Sequence, residues 1–297
     1  MRRHPVVWGV AILFVMALLS YVVFYRAGTD TGKVGAFSYG NRIGVVSVSG
    51  PIYDSLQITQ QLDEFGRDSS IAAVILRVDS PGGGVAASQE IYEAVVELKK
   101  KKKVVASLGS IAASGGLLIA CAADKIVANP GTITGSISAI MQFANFEELF
   151  KKIGLKSSVV KSGKYKDIGS PLRDMTPEER KIIQELVDDI YNQFVDVVVK
   201  DRKLSREKVM AIADGRVFSG RKAKELGLVD HLGDMGYAAK LATELAGKTG
   251  KYDLIYPRKK RASVFDYLLE SVANQLTDSL KERAEPFSGV SYLYYPF

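Results

Sequence analysis

VVASLGSIAASGGLLIACAADKIVANP, residues 104–130, decides the fold class. Val104–Gly109 is a short apolar run opened by β-branched residues, and it predicts a strand. Ser114–Ala123 is small and apolar throughout, which predicts a buried helix. Lys125–Pro130 returns to a β-rich run ended by Asn-Pro. Strand, helix and strand in such close succession are the texture of an α/β fold with parallel pairing.

The same alternation continues on both sides. Upstream, IGVVSVSG from Ile43 is an apolar run ended by Gly-Pro, and AAVILRVDSPGGG from Ala72 is a second, ended by consecutive glycines. Between that turn and residue 100, Ile91, Val95, Val96 and Leu98 recur at helical spacing and predict an amphipathic helix over 86–100. Downstream, Ser157–Gly163 (SSVVKSG) is a further expected strand. The second half is mainly helical. Thr176-Pro177-Glu178-Glu179 is a capping box with proline at the first helical position. Ile182, Ile183, Leu186, Ile190 and Phe194 follow at helical spacing. Ser205 and Ser219 each open a shorter helix, the latter closed at Gly227.

Composition narrows the chemistry. The chain has 297 residues, a net charge of +7, one cysteine and two histidines. Cys121 has no partner for a disulfide and reads as a small core residue. A zinc site built on several Cys and His ligands is excluded, and no metal or organic cofactor is indicated. Any Ser-His-Asp triad would have to use His231, because His4 sits beside the apolar N-terminal stretch. The positive charge is spread along the chain, with short runs at Lys99–Lys103 and Arg258–Arg261, and no nucleic-acid motif accompanies it.

The expected organisation has four parts. Residues 1–26 form an N-terminal membrane anchor, because Val6–Tyr25 is an uncharged run long enough to cross a bilayer as one helix. Trp8, Tyr21 and Tyr25 stand near its ends as interfacial aromatics do, and YRAGTD offers no small-x-small cleavage site. Arg2 and Arg3 favour an N-inside orientation, which places the body outside the cytoplasmic membrane. Residues 27–40 are a Gly/Thr/Asp-rich linker, 41–250 the main folded domain, and 251–297 an extension. That extension holds a basic run, an amphipathic stretch over 264–280 and the aromatic tail SGVSYLYYPF, expected to pack in a groove or on a neighbouring subunit.

Three segments carry chemistry. Ser114 stands between a strand and a helix with glycines after it, the setting of a nucleophile elbow: an exposed hydroxyl, close backbone amides and a helix start that favours negative charge. The spacing is not G-x-S-x-G, since Ala112 occupies the first glycine position, and small residues in A-S-G-G also serve tight helix packing. Asp79-Ser80-Pro81-Gly82-Gly83-Gly84 ends a strand in glycines whose amides can turn toward an oxyanion. A Gly-Lys-Ser/Thr phosphate loop is absent. Lysine is then the natural general base, since it works as a neutral amine once removed from water. Lys161, Lys164 and Lys166 are the candidates in KSGKYKDIGSP, and the residue pattern does not choose among them.

SPGGG, AASGG, NPGTITGSIS and SGKYKDIGSP followed by MTPEER, in that order, resemble the SppA-type signal peptide peptidases, Ser-Lys peptidases of the ClpP/crotonase superfamily. The resemblance runs from about Ile43 to Leu232. It implies a ClpP/crotonase-like repeated ββα spiral with an N-terminal transmembrane helix. It implies Ser114 as nucleophile, Lys166 as general base and the amides of Gly83 and Gly115 as the oxyanion hole. Ser136, and more weakly Ser162, would orient the lysine amine. It further implies cleaved signal peptides and similar apolar peptides as substrates. Assembly would be a homo-oligomeric ring in which each subunit completes its neighbour's site. Two other readings share these residues: a crotonase-type acyl-CoA enzyme, which uses the paired amides without a serine nucleophile, and a catalytically inactive membrane-tethered scaffold.

Overall fold

A computed structural model describes residues 13–18, 20, 41–257 and 291–293, the last three by backbone only. The chain divides into two units, residues 1–39 and 40–297. In the first, residues 13–18 are helical. Most of the expected anchor, the whole linker and the stretch over 264–280 lie outside the described residues. Among the described residues, no helix is long and apolar enough to cross a membrane.

The second unit is mixed α/β. In chain order it comprises β1 (Arg42–Ser49), α1 (Leu56–Arg67), β2 (Ile71–Ser80), β3 (Gly82–Gly84), α2 (Val85–Lys99), β4 (Lys103–Ala113), α3 (Gly115–Cys121), β5 (Lys125–Ala128) and β6 (Ile133–Gly135). Then follow α4 (Glu147–Lys152), α5 (Pro177–Arg202), α6 (Arg206–Met210), β7 (Val217–Ser219), α7 (Gly220–Glu225), β8 (His231–Leu232), α8 (Met235–Leu245), β9 (Asp253–Ile255) and β10 (Ser291–Leu293).

The central sheet runs β7-β6-β4-β2-β1-β9, with β5 beside β4 and β8 beside β5. Its pairs are parallel except β6–β7. The near-continuous apolar character of β2 is the mark of a strand covered on both faces. Val74, Leu76 and Val78 point into the larger core under α1, α2 and α3, while Ala73 and Ile75 point into a second core under α8.

β4 outruns its first partner. Val105–Leu108 pair with β5, and Ile111–Ala113 pair with β6. Between the halves the register against β2 shifts, and Asp79 Oδ1 accepts from the Ile111 amide at 3.1 Å. The strand is thereby carried past the sheet to deliver Ser114 above it. α3 then plunges into the core, with all seven of its residues buried. Burying Leu117, Leu118 and Ile119 contributes about 1.5–3 kcal/mol apiece, which anchors the turn preceding them.

The expected capping box is present: Thr176 Oγ1 accepts from the Glu179 amide at 3.2 Å, and Glu179 Oε2 accepts from the Thr176 amide at 2.9 Å. α5 buries Phe194, Val195 and Val198 near its C-terminal end. Ser205 and Ser219 cap α6 and α7 as expected. The strand expected over Ser157–Gly163 does not form. Val160 is 100% exposed, and no described strand lies alongside to take its backbone hydrogen bonds. β-branched residues favour a pleated, half-buried surface, and without a partner that preference has nothing to act on.

Candidate active site

Ser114 follows the last residue of β4 at φ 54° and ψ −119°, a conformation that side chains with a Cβ rarely adopt. Strain of this kind costs of order 1–3 kcal/mol and persists only where the surroundings over-determine it. Here its amide donates to the Gly135 carbonyl at 2.8 Å, and its own carbonyl accepts from the Leu118 amide at 2.9 Å, in the first turn of α3. Ser114 is 1% exposed, so the hydroxyl is buried in this chain and not exposed as the sequence pattern predicts. Ser136, next to Gly135 and also at positive φ (52°), is held by its amide on the Arg216 carbonyl at 2.8 Å. The pairing of Ala113 with Gly135 thus sets Ser114 and Ser136 beside each other at the ends of β4 and β6.

The two glycine motifs meet at this point. A Cβ on Gly115 would stand 2.5 Å from Ser88 Oγ, 3.2 Å from Gly82 Cα and 3.3 Å from the Gly83 nitrogen. A Cβ on Gly83 would fall 2.1 Å from the Ile52 carbonyl oxygen. Gly83 is therefore required by close backbone approach, and Gly115 by the Ser88 hydroxyl packed against it. Ile52 donates to the Gly82 carbonyl at 2.8 Å and accepts from the Gly84 amide at 2.7 Å. By the alternation of a strand, the N–H and C=O of Gly83 face the other edge, on the side away from Ile52. That edge is where β10 lies, antiparallel, with Tyr292 opposite Gly83. β10 thus occupies the position an extended peptide takes when it adds to a free strand edge.

The three candidate lysines sit in different electrostatic settings. Lys161 Nζ is paired with Asp167 and donates to the Lys164 carbonyl. Lys164 is paired with Glu178, which pulls its pKa up and favours the charged form. Lys166 carries no ion pair and no side-chain hydrogen bond among the described residues; its side chain is exposed and does not reach Ser114 of the same chain. Ser162 is exposed in the same turn.

His231 does not approach the serine. It pairs with Val127, which lies level with Ser107, seven residues before Ser114 and on the order of 20 Å along the strand. Its Nδ1 faces Tyr237 Oη at 3.2 Å. Cys121 is a core residue as expected, and burial pushes its thiol up to about 12. No cluster of ligands for a metal ion occurs among the described residues.

Two features escaped the sequence. Ser88 Oγ, on α2 behind Gly115, is buried without a hydrogen-bond partner among the described residues; in the sequence it is one more small residue on a helix. Arg173 bonds both Asp167 and Glu179. In the sequence its only trace is the alternation of charge at 167, 173 and 179, and the capping box accounts for Glu179 by itself.

Comparison with known proteins gives a consistent result. A family model described as Peptidase family S49 matches residues 96–249, and one described as Clp protease matches residues 37–133. A Synechocystis sp. protein, provisionally named a protease, is 48% identical over 217 residues, which cover 70% of this chain and 78% of that protein. A Methanocaldococcus jannaschii protein of the same provisional name is 36% identical over 262 residues, 86% of this chain and 84% of its own length. An Enterococcus faecium protein provisionally named signal peptide peptidase SppA is 39% identical over 205 residues, 69% of this chain and 56% of its own.

Proposed function

The chain belongs to peptidase family S49, and from that premise we propose that it is a membrane-anchored serine endopeptidase with a Ser114–Lys166 dyad that degrades cleaved signal peptides and similar apolar peptides. The observation that carries this reading is Ser114 itself: a buried serine held at positive φ at the junction of β4 and α3, next to Gly115, which packs close to the Gly82-Gly83 backbone.

The dyad forms between copies. Lys166 rides on an arm, residues 140–175, that exposes Phe143, Phe146, Leu149 and Val159. A second copy covering this apolar surface brings Lys166 to its own Ser114 and withdraws the amine from water. Repetition closes a ring. Of the three lysines, Lys166 is the one without a carboxylate to hold it charged, which suits it to the role of base.

Substrate adds as an extended strand to the Gly83 edge, as β10 does. The Lys166 amine takes the Ser114 proton as Oγ attacks the scissile carbonyl carbon. The Gly83 and Gly115 amides hold the oxyanion, each donor worth about 2.7–4 kcal/mol. The C–N bond breaks as Lys166 returns the proton to the leaving amine. Water, deprotonated by the same amine, then opens the acyl ester and restores Ser114. Ser136, beside Ser114, orients the incoming amine. Val6–Tyr25 anchors the chain with its N-terminus inside, and the catalytic unit works on the outer side of the cytoplasmic membrane, where released signal peptides are within reach.

The test is labelling of the full-length protein in detergent with a fluorophosphonate probe, together with turnover of an apolar peptide. Wild type labels and cleaves, and Ser114→Ala and Lys166→Ala do neither. Labelling of Ser114→Ala, or undiminished turnover by Lys166→Ala, refutes the assignment.

A further inference from the structure

We propose that Arg173 is a positioning residue for Lys166, a clamp that ties the lysine loop to the first turn of α5 and neutralises the carboxylate next to the base. The inference rests on the reading of Lys166 as general base.

The geometry is saturated. Arg173 Nε donates to Asp167 Oδ2 at 3.0 Å, and Nη2 donates to Asp167 Oδ1 at 3.0 Å and to the Asp167 carbonyl at 3.3 Å. On its other edge, Nη1 and Nη2 donate to Glu179 Oε2 and Oε1 at 2.8 and 2.6 Å, and Nη1 also donates to the Asp174 carbonyl at 3.0 Å. Every N–H of the guanidinium is engaged, and both carboxylates are held by the planar fork that arginine offers and lysine lacks. Glu179 is 3% exposed and is itself fixed by the α5 capping box, so the clamp is anchored on a rigid helix start.

The residues around Lys166 are tied to the same place. Lys164 Nζ and Tyr165 Oη both bond Glu178, and Lys161 bonds Asp167. The turn is closed by Lys166 N to the Gly163 carbonyl at 3.2 Å, Ile168 N to the Tyr165 carbonyl at 3.0 Å and Ser170 N to the Asp167 carbonyl at 3.0 Å. The outcome is a loop with a fixed backbone in which Lys164, Tyr165 and Asp167 are spent on α5 or on Arg173, and Lys166 alone projects unpaired. Such a loop presents Lys166 from a fixed backbone, while its unpaired side chain keeps its own rotamer freedom until a partner surface holds it.

Charge supplies the second half of the argument. The groups facing this loop are Lys161, Lys164, Tyr165, Asp167, Arg173, Glu178 and Glu179. Asp167 adjoins Lys166 in the chain, and a bare carboxylate there would favour the protonated amine, which is useless as a base. Arg173 and Lys161 instead hold Asp167 far below the usual carboxylate range, and the hydrogen bonds from Arg173 place Glu179 at about 2. Arg173 and Lys161 thereby offset the charge of the carboxylate that adjoins Lys166 in the chain.

The experiment measures kcat, KM and the pH profile of kcat/KM for the full-length protein on one apolar peptide. Arg173→Met is expected to lower kcat at least tenfold with KM changed less than threefold. Its acid limb should move up by about one pH unit, because Glu179 loses its ion pair and Asp167 keeps only Lys161. Asp167→Asn keeps the α5 anchor and leaves Arg173 and Lys161 in excess, so its limb should move down. Arg173→Lys should restore the limb while recovering only part of kcat. Arg67→Met, which breaks the exposed pair with Asp63, should change nothing. Limbs moving in the same direction for Arg173→Met and Asp167→Asn, or unmoved in both, overturn the clamp while Lys166→Ala stays inactive. Activity in Lys166→Ala overturns the dyad itself. Should Arg173→Met fail to fold, Asp167→Asn and Arg173→Lys decide alone.

Discussion

The strain at Ser114 gives the sharpest prediction. Replacing it with alanine keeps a Cβ at φ 54°, ψ −119°, so Ser114→Ala loses the hydroxyl and keeps the strain. Ser114→Gly loses both. Relief of a conformation of this kind is worth about 1–3 kcal/mol, and the extra backbone freedom of glycine in the unfolded chain takes back roughly 0.5–1 kcal/mol. The net expectation is that Ser114→Gly is more stable than Ser114→Ala by about 1 kcal/mol. For a unit of this size that corresponds to a Tm higher by roughly 2–4 °C. Both variants should be inactive, so the comparison isolates stability at constant function. Differential scanning calorimetry of the two proteins at matched concentration reads it, with chemical denaturation as a second measure. A glycine variant no more stable than the alanine variant would show that the nucleophile is not held in a strained conformation. The claim that the site stores strain on a rigid frame would then fail.

Three further outcomes follow. On the proposed mechanism Gly115→Ala should lower kcat/KM by at least about 100-fold, because its Cβ meets Ser88 Oγ at 2.5 Å and the amide proposed to hold the oxyanion must shift; adding Ser88→Ala should recover part of that loss, whereas Ser88→Ala alone removes a hydroxyl unpartnered among the described residues and should leave activity intact. Deleting residues 289–297 should lower KM for peptide substrates, since β10 occupies the Gly83 edge; unchanged KM and unchanged assembly would remove the tail from the groove. Glu179, with its ordinary value of 4.5 depressed to about 2 by Arg173 and the Thr176 amide, contributes stability that is complete above the unfolded carboxylate value and fades as pH falls from about 4.5 toward 2. Glu179→Gln should flatten that part of the stability profile in denaturant titrations run from pH 7 to 3.

Local signals were read well because local physics made them. β-branched runs bounded by Gly and Pro became β1, β2 and β4, and serine or threonine caps opened α5, α6 and α7. The exception is Ser157–Gly163, which has strand composition and no strand to pair with. The same limit applies to the candidate lysines. Three lysines within six positions of sequence are alike until their partners are known, and those partners, Asp167 and Glu178, claim two of them through tertiary contacts.

What the sequence determined alone was the α/β alternation, the strand-to-helix junction at Ser114 and the start of α5; the turn expected at Gly82–Gly84 is instead the short strand β3. Each depends on steric and hydrogen-bonding preferences acting over a few residues. Tertiary structure decided that Gly83 turns its amide away from Ile52, that Gly115 leans on Ser88, that Ser136 stands beside Ser114, and that Arg173 gathers Asp167 and Glu179 around the loop of Lys166. These juxtapose residues distant along the chain or choose one partner from several equivalent ones. Only the packing of the whole sheet, with β4 carried past its neighbours, brings such groups within bonding distance.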